Sequence, residues 1–159
     1  MKGHIFLTYE ESQDKSKFIK AIEQLTLCNA KMPHTKDMAQ LYRNLQKPVI
    51  PMPPDNPDTG ADGKPSALQQ LLWTESAKSY SKRLKQLEDN LHATYAIVYG
   101  QCSRNMKSKL QSLDDYESKH DSCDCAWLLT SIKSIMYTFE GQGYIYGTMD
   151  DAHTSMVNM

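Results

Sequence analysis

Residues 66–100 read SALQQLLWTESAKSYSKRLKQLEDNLHATYAIVYG, and this stretch decides the fold. Ser66-Ala67-Leu68-Gln69 fits a capping box, in which the serine hydroxyl and the glutamine amide satisfy orphan donors of a helix's first turn. Beyond it, Trp73, Ala77, Tyr80, Leu84, Leu87, Leu91, Thr94 and Val98 are spaced 4-3-4-3-4-3-4, a seam that a helix keeps on one side for more than three heptads. The pattern predicts one helix of about thirty residues, ~45 Å long, ending at Gly100. A rod of that length suits a packing spine better than a pocket wall.

Upstream, Gly3-His4-Ile5-Phe6-Leu7-Thr8-Tyr9 reads as a strand or an extended lead-in. Asp14 offers an N-cap to a helix carrying Phe18, Ile22 and Leu25, with Ile19 beside them, through about Cys28. Pro33 closes it. A second helix is expected from near Thr35, with Met38, Leu41, Tyr42 and Leu45 on one side, ending before Pro48. Between Lys47 and Pro65 stand Pro48, Pro51, Pro53, Pro54, Pro57 and Pro65 with Gly60 and Gly63, which leaves a linker or long exposed loop.

Downstream, a helix from about Ser103 turns Met106, Leu110 and Leu113 inward and fades in the polar stretch Asp114 to Asp121. Asp121 is expected to cap the next helix, with Asp124 in its first turn, where the macrodipole favours an anion. Cys125, Leu129, Ile132, Met136 and Phe139 form its stripe, Leu128 and Ile135 widen it, and Gly141 and Gly143 stop it. A last amphipathic segment with Ile145, Met149, Ala152 and Met156 reaches Met159 without a stop signal, so a continuation is expected. Three parts result: a lead-in and helical hairpin over 1–46, a Pro-rich loop over 47–65, and a long-helix segment over 66–159. The fold class is all-α, a bundle of five to six helices with one long central helix.

Composition agrees. The 159 residues hold 18 Lys plus Arg against 19 Asp plus Glu, a formal charge of −1, so nothing pulls the whole chain toward nucleic acid or an anionic membrane. Leu, Ile, Val and Phe together make 29 residues, about 18% of the chain, below the ~20% under which disorder becomes a concern. The near-zero charge argues back, because disorder pairs low hydrophobicity with self-repulsion. Val and Ile are too scarce for an all-β fold. Cys28, Cys102, Cys123 and Cys125 show no framework spacing, no apolar leader follows a basic start, and no apolar run reaches the ~18–20 residues of a membrane span. A soluble, cytoplasmic protein with reduced thiols is expected.

Four stretches of the sequence suggest chemistry and also have plainer readings. Asp58-Thr59-Gly60-Ala61 matches the tetrapeptide that presents an aspartic-protease carboxylate, but turn formers flank it where a buried β loop is required, which favours a turn. Cys123 and Cys125 with His120 suggest zinc. On a helix the two cysteines point about 200° apart, and Cys125 falls on the apolar stripe, so packing is favoured and no metal is assigned. None of His4, His34, His92, His120 and His153 sits by a nucleophile elbow, all lie in polar surroundings, and no catalytic residue is assigned. Lys78, Lys82, Arg83 and Lys85, then Arg104, Lys107 and Lys109, offer phosphates a weak, sequence-blind contact if the two helices turn the same face outward. A solvated helix face explains the same charges.

Leu72-Trp73 with Glu75, Tyr80, Lys82-Arg83, Leu87, Asn90-Leu91, Ala93 and Ala96 carry a family resemblance. It continues through Gly100-Gln101-Cys102, Met106-Lys107-Ser108-Lys109-Leu110, Leu113 and Tyr116 to Asp124, Leu128-Leu129 and Ile132-Lys133. In order and spacing this resembles the Gag proteins of copia-type long-terminal-repeat retroelements, particularly those of algae and other marine eukaryotes. The start from Gly3 to Leu25 looks like the family's Gly-x-x-Phe opening. The resemblance implies a capsid-forming structural protein, not an enzyme and without a cofactor, whose helical subunits assemble into virus-like particles around the element's RNA. Family members usually continue into a Cys-Cys-His-Cys zinc knuckle, which this sequence lacks.

The expected partners are therefore the chain itself and, weakly, retroelement RNA, with no membrane and no small-molecule substrate. Self-association is assigned to the seam residues Trp73, Tyr80, Leu84, Leu87, Leu91 and Val98, and RNA contact to Lys82, Arg83, Lys85, Arg104, Lys107 and Lys109. The rival readings are a cellular α-helical adaptor whose seam binds a partner helix, and a hydrolase using Asp58.

Overall fold

The computed structural model describes Phe6 and residues 15–31, 35–57 and 63–137. Asp58, Phe139, Gly141, Gly143 and the last amphipathic segment lie outside these, as do Pro33, His4, His34 and His153. Among the described residues the elements are helices: α1 (Lys15–Asn29), a 3-10 turn (Thr35–Met38), α2 (Ala39–Asn44), α3 (Ala67–Gly100), α4 (Arg104–Gln111), α5 (Tyr116–Asp121) and α6 over 125–137. The all-α architecture with one long helix is thus the observed one.

The capping box forms as its sequence dictates. Ser66 Oγ accepts from the Gln69 amide at 3.2 Å while Gln69 Oε1 accepts from the Ser66 amide at 3.0 Å. From there α3 runs 34 residues, ~51 Å at 1.5 Å per residue. Ser103 caps α4 through the Met106 amide.

One apolar cluster joins the N-terminal helices to the rest. Phe18, Ala21 and Leu25 of α1, Leu41 of α2 and Ile50 of the Pro-rich loop pack with Leu87, Tyr95 and Val98 of α3, Met106 and Leu110 of α4, and Cys125, Leu128, Leu129, Ile132 and Met136 of α6. Phe6 closes this core from the sequence's far end. It is fully buried, its amide donates to Gln101 O at 3.2 Å, and its carbonyl accepts from the Ser103 amide at 3.0 Å, so an isolated parallel bridge staples it to the α3–α4 turn.

Five local readings change. The inward side of α1 is Phe18, Ala21 and Leu25, whereas Ile19 is 54% exposed, because the core meets only one narrow stripe of this helix. The second helix is a 3-10 turn followed by a helix of six residues, closed by Leu45 in the left-handed region at φ 53°. The polar stretch expected to fade holds α5. Asp121 ends α5 and Asp124 caps α6, its Oδ1 accepting from the Trp127 amide at 3.0 Å, because Cys123 at φ 50° turns the chain between them.

The fifth concerns the long seam, which is not continuous. Buried residues of α3 are Leu87, Asn90, Thr94, Tyr95 and Val98, and none precedes Leu87. Trp73, Ala77, Tyr80 and Leu91 are half-buried and Leu84 is 40% exposed. The first twenty residues of α3, about 30 Å of helix, therefore leave their apolar edge incompletely covered.

Candidate association surface

The less covered half of α3 has two faces. On the seam side, the Trp73 indole donates to Pro54 O at 3.0 Å, so the Pro-rich loop returns along the helix and shields Trp73. Roughly opposite on the helical wheel, Leu68, Leu71 and Leu72 are 63%, 57% and 59% exposed. Spaced i, i+3, i+4, they form one leucine edge. Val49 and Met52 of the loop are exposed as well.

Where the seam enters the body of the protein, it walls a cavity of about 440 Å³. Leu84, Leu87, Glu88, Leu91 and His92 of α3 form one side, and Lys47, Pro48 and residues 122–126 the other. The floor is apolar, while Lys47, Glu88, His92, Cys123 and Asp124 stand around it. A thiol, an imidazole and a carboxylate thus come near one space. Asp124 is committed elsewhere, one oxygen to the Trp127 amide and the other to Lys119 Nζ at 2.9 Å. Burial pushes its carboxyl up, but the Trp127 amide and the Lys119 ammonium outweigh that and hold it below the usual carboxylate range. Among the described residues no hydrogen bond links His92 with Cys123.

The cysteines sort by depth. Cys102 and Cys125 are buried, and burial pushes each thiol up to about 12, which makes them small hydrophobes rather than nucleophiles. Among the described residues no group of three or more His, Cys, Asp or Glu is placed to hold a metal ion.

His120 departs from its expected polar surroundings. Its Nδ1 lies 2.8 Å from the Tyr95 hydroxyl, and its ring stacks on Tyr116 at 5.0 Å and meets Tyr99 at 5.1 Å. Tyr99 and Tyr116 join through their hydroxyls at 2.9 Å. Burial raises the Tyr95 phenol well above its ordinary value and pushes Tyr99 up to about 12, so both stay protonated. The cluster docks α5, a helix with no buried residue of its own.

The basic residues differ in how they are engaged. Arg83 makes two hydrogen bonds to Asp37, at 2.6 and 3.3 Å, and ties α3 to the 3-10 turn. Lys107 sits 5.1 Å over the Tyr99 ring, and Lys78 pairs with Glu75 at 3.2 Å. Lys82, Lys85, Arg104 and Lys109 are exposed, the first two on the same side of α3 as Lys78.

Sequence reasoning located the seam and the basic residues but missed the leucine edge and the cavity. The edge was legible as Leu68, Leu71 and Leu72 at helical spacing; the cavity was not, since its second wall comes from residues thirty or more positions away. Among the described residues no helix is long and apolar enough to cross a membrane. No family model matches the chain, and no curated protein or solved structure matches it either.

Proposed function

We propose that the chain is a structural protein of the Gag type, as in copia-type retroelements, whose function is to associate with further copies of itself in the cytoplasm and build particles. One observation carries this reading. α3 continues for twenty residues before its first buried side chain, and a helix that long keeps its form in water chiefly by having an apolar face covered. Burial between subunits supplies that cover and also suits the low aliphatic content of the chain. The resemblance of residues 66–140 to Gag sequences supports the same conclusion.

Weak contact with RNA belongs to this proposal as a secondary property. It falls to the exposed Lys82 and Lys85, since Arg83 is engaged by Asp37. Replacing both lysines with glutamine is expected to weaken retention on RNA and flatten its salt dependence; equal retention at every salt removes the idea.

Sedimentation of the purified chain at rising concentration, followed by electron microscopy, tests the main reading. Species that keep growing, and particles on the grid, support it. A species fixed in size at every concentration overturns it and favours an adaptor.

A further inference from the structure

We propose that copies of the chain associate head to tail, the leucine edge Leu68–Leu71–Leu72 of one entering the cavity beside Leu84, Leu87 and Leu91 of the next. The inference deepens the self-assembly reading and rests on it.

Volume favours this occupant. The three leucine side chains bring twelve carbon atoms, about 360 Å³ if each takes roughly the ~30 Å³ share of a water molecule, against a cavity of about 440 Å³. The surfaces are alike in chemistry, since the cavity floor of Pro48, Leu87 and Cys125 is buried and apolar. Lys64 stands exposed beside the leucines and Glu88 exposed on the cavity rim, opposite charges across the contact, whereas Glu75 and Asp124 are engaged within the chain by Lys78 and Lys119.

Geometry forbids a copy from filling its own cavity. The edge and the cavity wall belong to one unbroken helix, and their centres lie about 25 Å apart along it at 1.5 Å per residue. Every chain thus offers one projecting edge and one hollow. A contact between two different surfaces is heterologous, and it propagates into rings or filaments rather than closing at a dimer.

The test uses two variants that each disable one surface. Leu71→Asp charges the exposed edge, and Ala126→Trp fills the cavity from the start of α6. Each alone is expected to remain monomeric across a hundred-fold concentration range in which the wild type grows. Mixed in equal amounts, they are expected to form a one-to-one dimer and stop there, because only one intact edge and one intact hollow remain. If Ala126→Trp melts early, Ser122→Trp at the exposed rim replaces it.

Growth of Leu71→Asp equal to the wild type overturns the assignment while self-assembly stands. Loss of association in Leu71→Asp but not in the cavity-filled variant, with no dimer on mixing, means the edges pair with each other and likewise overturns it. A wild type that never grows removes the self-assembly reading itself.

Discussion

The two halves of α3 have similar sequence periodicity and opposite fates. From Leu87 to Val98 the seam packs into a core shared with α1, α2, α4 and α6, with Leu91 half-buried at the cavity. From Ala67 to Gln86 the same helix buries nothing fully, although it carries Leu68, Leu71, Leu72, Trp73 and Tyr80. The second half is held by full burial in the core; the first is held by its capping box, the Trp73–Pro54 hydrogen bond, the Arg83–Asp37 ion pair and the partial packing of Tyr80 against the core. An apolar seam therefore records that a helix is to be covered, not that its own chain covers it.

The sharpest way to break this contrast is charge. Leu87→Asp places an unpaired carboxylate in the core and is expected to cost at least several kcal/mol, about 3 or more, abolishing the folding transition. An unchanged melting curve would mean the second half is misread. Leu110→Ala, under the same core but on α4, is expected to lose about 2–5 kcal/mol through the cavity it leaves, measured by denaturant unfolding. A loss below about 1 kcal/mol would show a core looser than the burial indicates.

Smaller changes probe the first half. Ser66→Ala removes one arm of the capping box and is expected to cost about 0.5–2 kcal/mol, visible as reduced helical circular dichroism from fraying near Ala67. No change in dichroism would show that the box does not hold this end.

Acid titrates the turn before α6. The Asp124 carboxyl is held below its usual range, so its contribution is full above the unfolded value of about 4 and is lost as pH falls through the lower folded value. Asp124→Asn should therefore flatten the acid limb of stability against pH; an identical limb would assign the acid sensitivity elsewhere. Least of all, Leu71→Asp is expected to shift monomer stability by no more than about 0.5 kcal/mol, measured below the concentration at which copies associate. A large loss there would show that the leucine edge is covered within the subunit.

Legibility followed the range of each interaction. The capping box was readable because both hydrogen bonds close within four residues, and the α6 stripe because Cys125, Leu129, Ile132 and Met136 all face one core. α5 escaped because Tyr-Glu-Ser-Lys-His-Asp has no apolar period; its dock is aromatic, through Tyr116 and His120 against Tyr95 and Tyr99. A local signal was present in Glu117 at its start and Lys119 and His120 at its end, charges that complement a helix dipole. Likewise Asp121 and Asp124 were equally good caps by type, and only the left-handed turn at Cys123 chose between them.

The residue order alone determined that this chain is helical, where its longest helix begins and ends, and which side of that helix is apolar, since propensity, capping and periodicity act within a few turns. Only the tertiary structure decided where along α3 burial begins, that Leu84, Leu87 and Leu91 border a hollow, and that Arg83 is spent on Asp37. Those outcomes depend on segments from distant parts of the chain, and one-dimensional spacing carries no record of which of them arrives to cover a face.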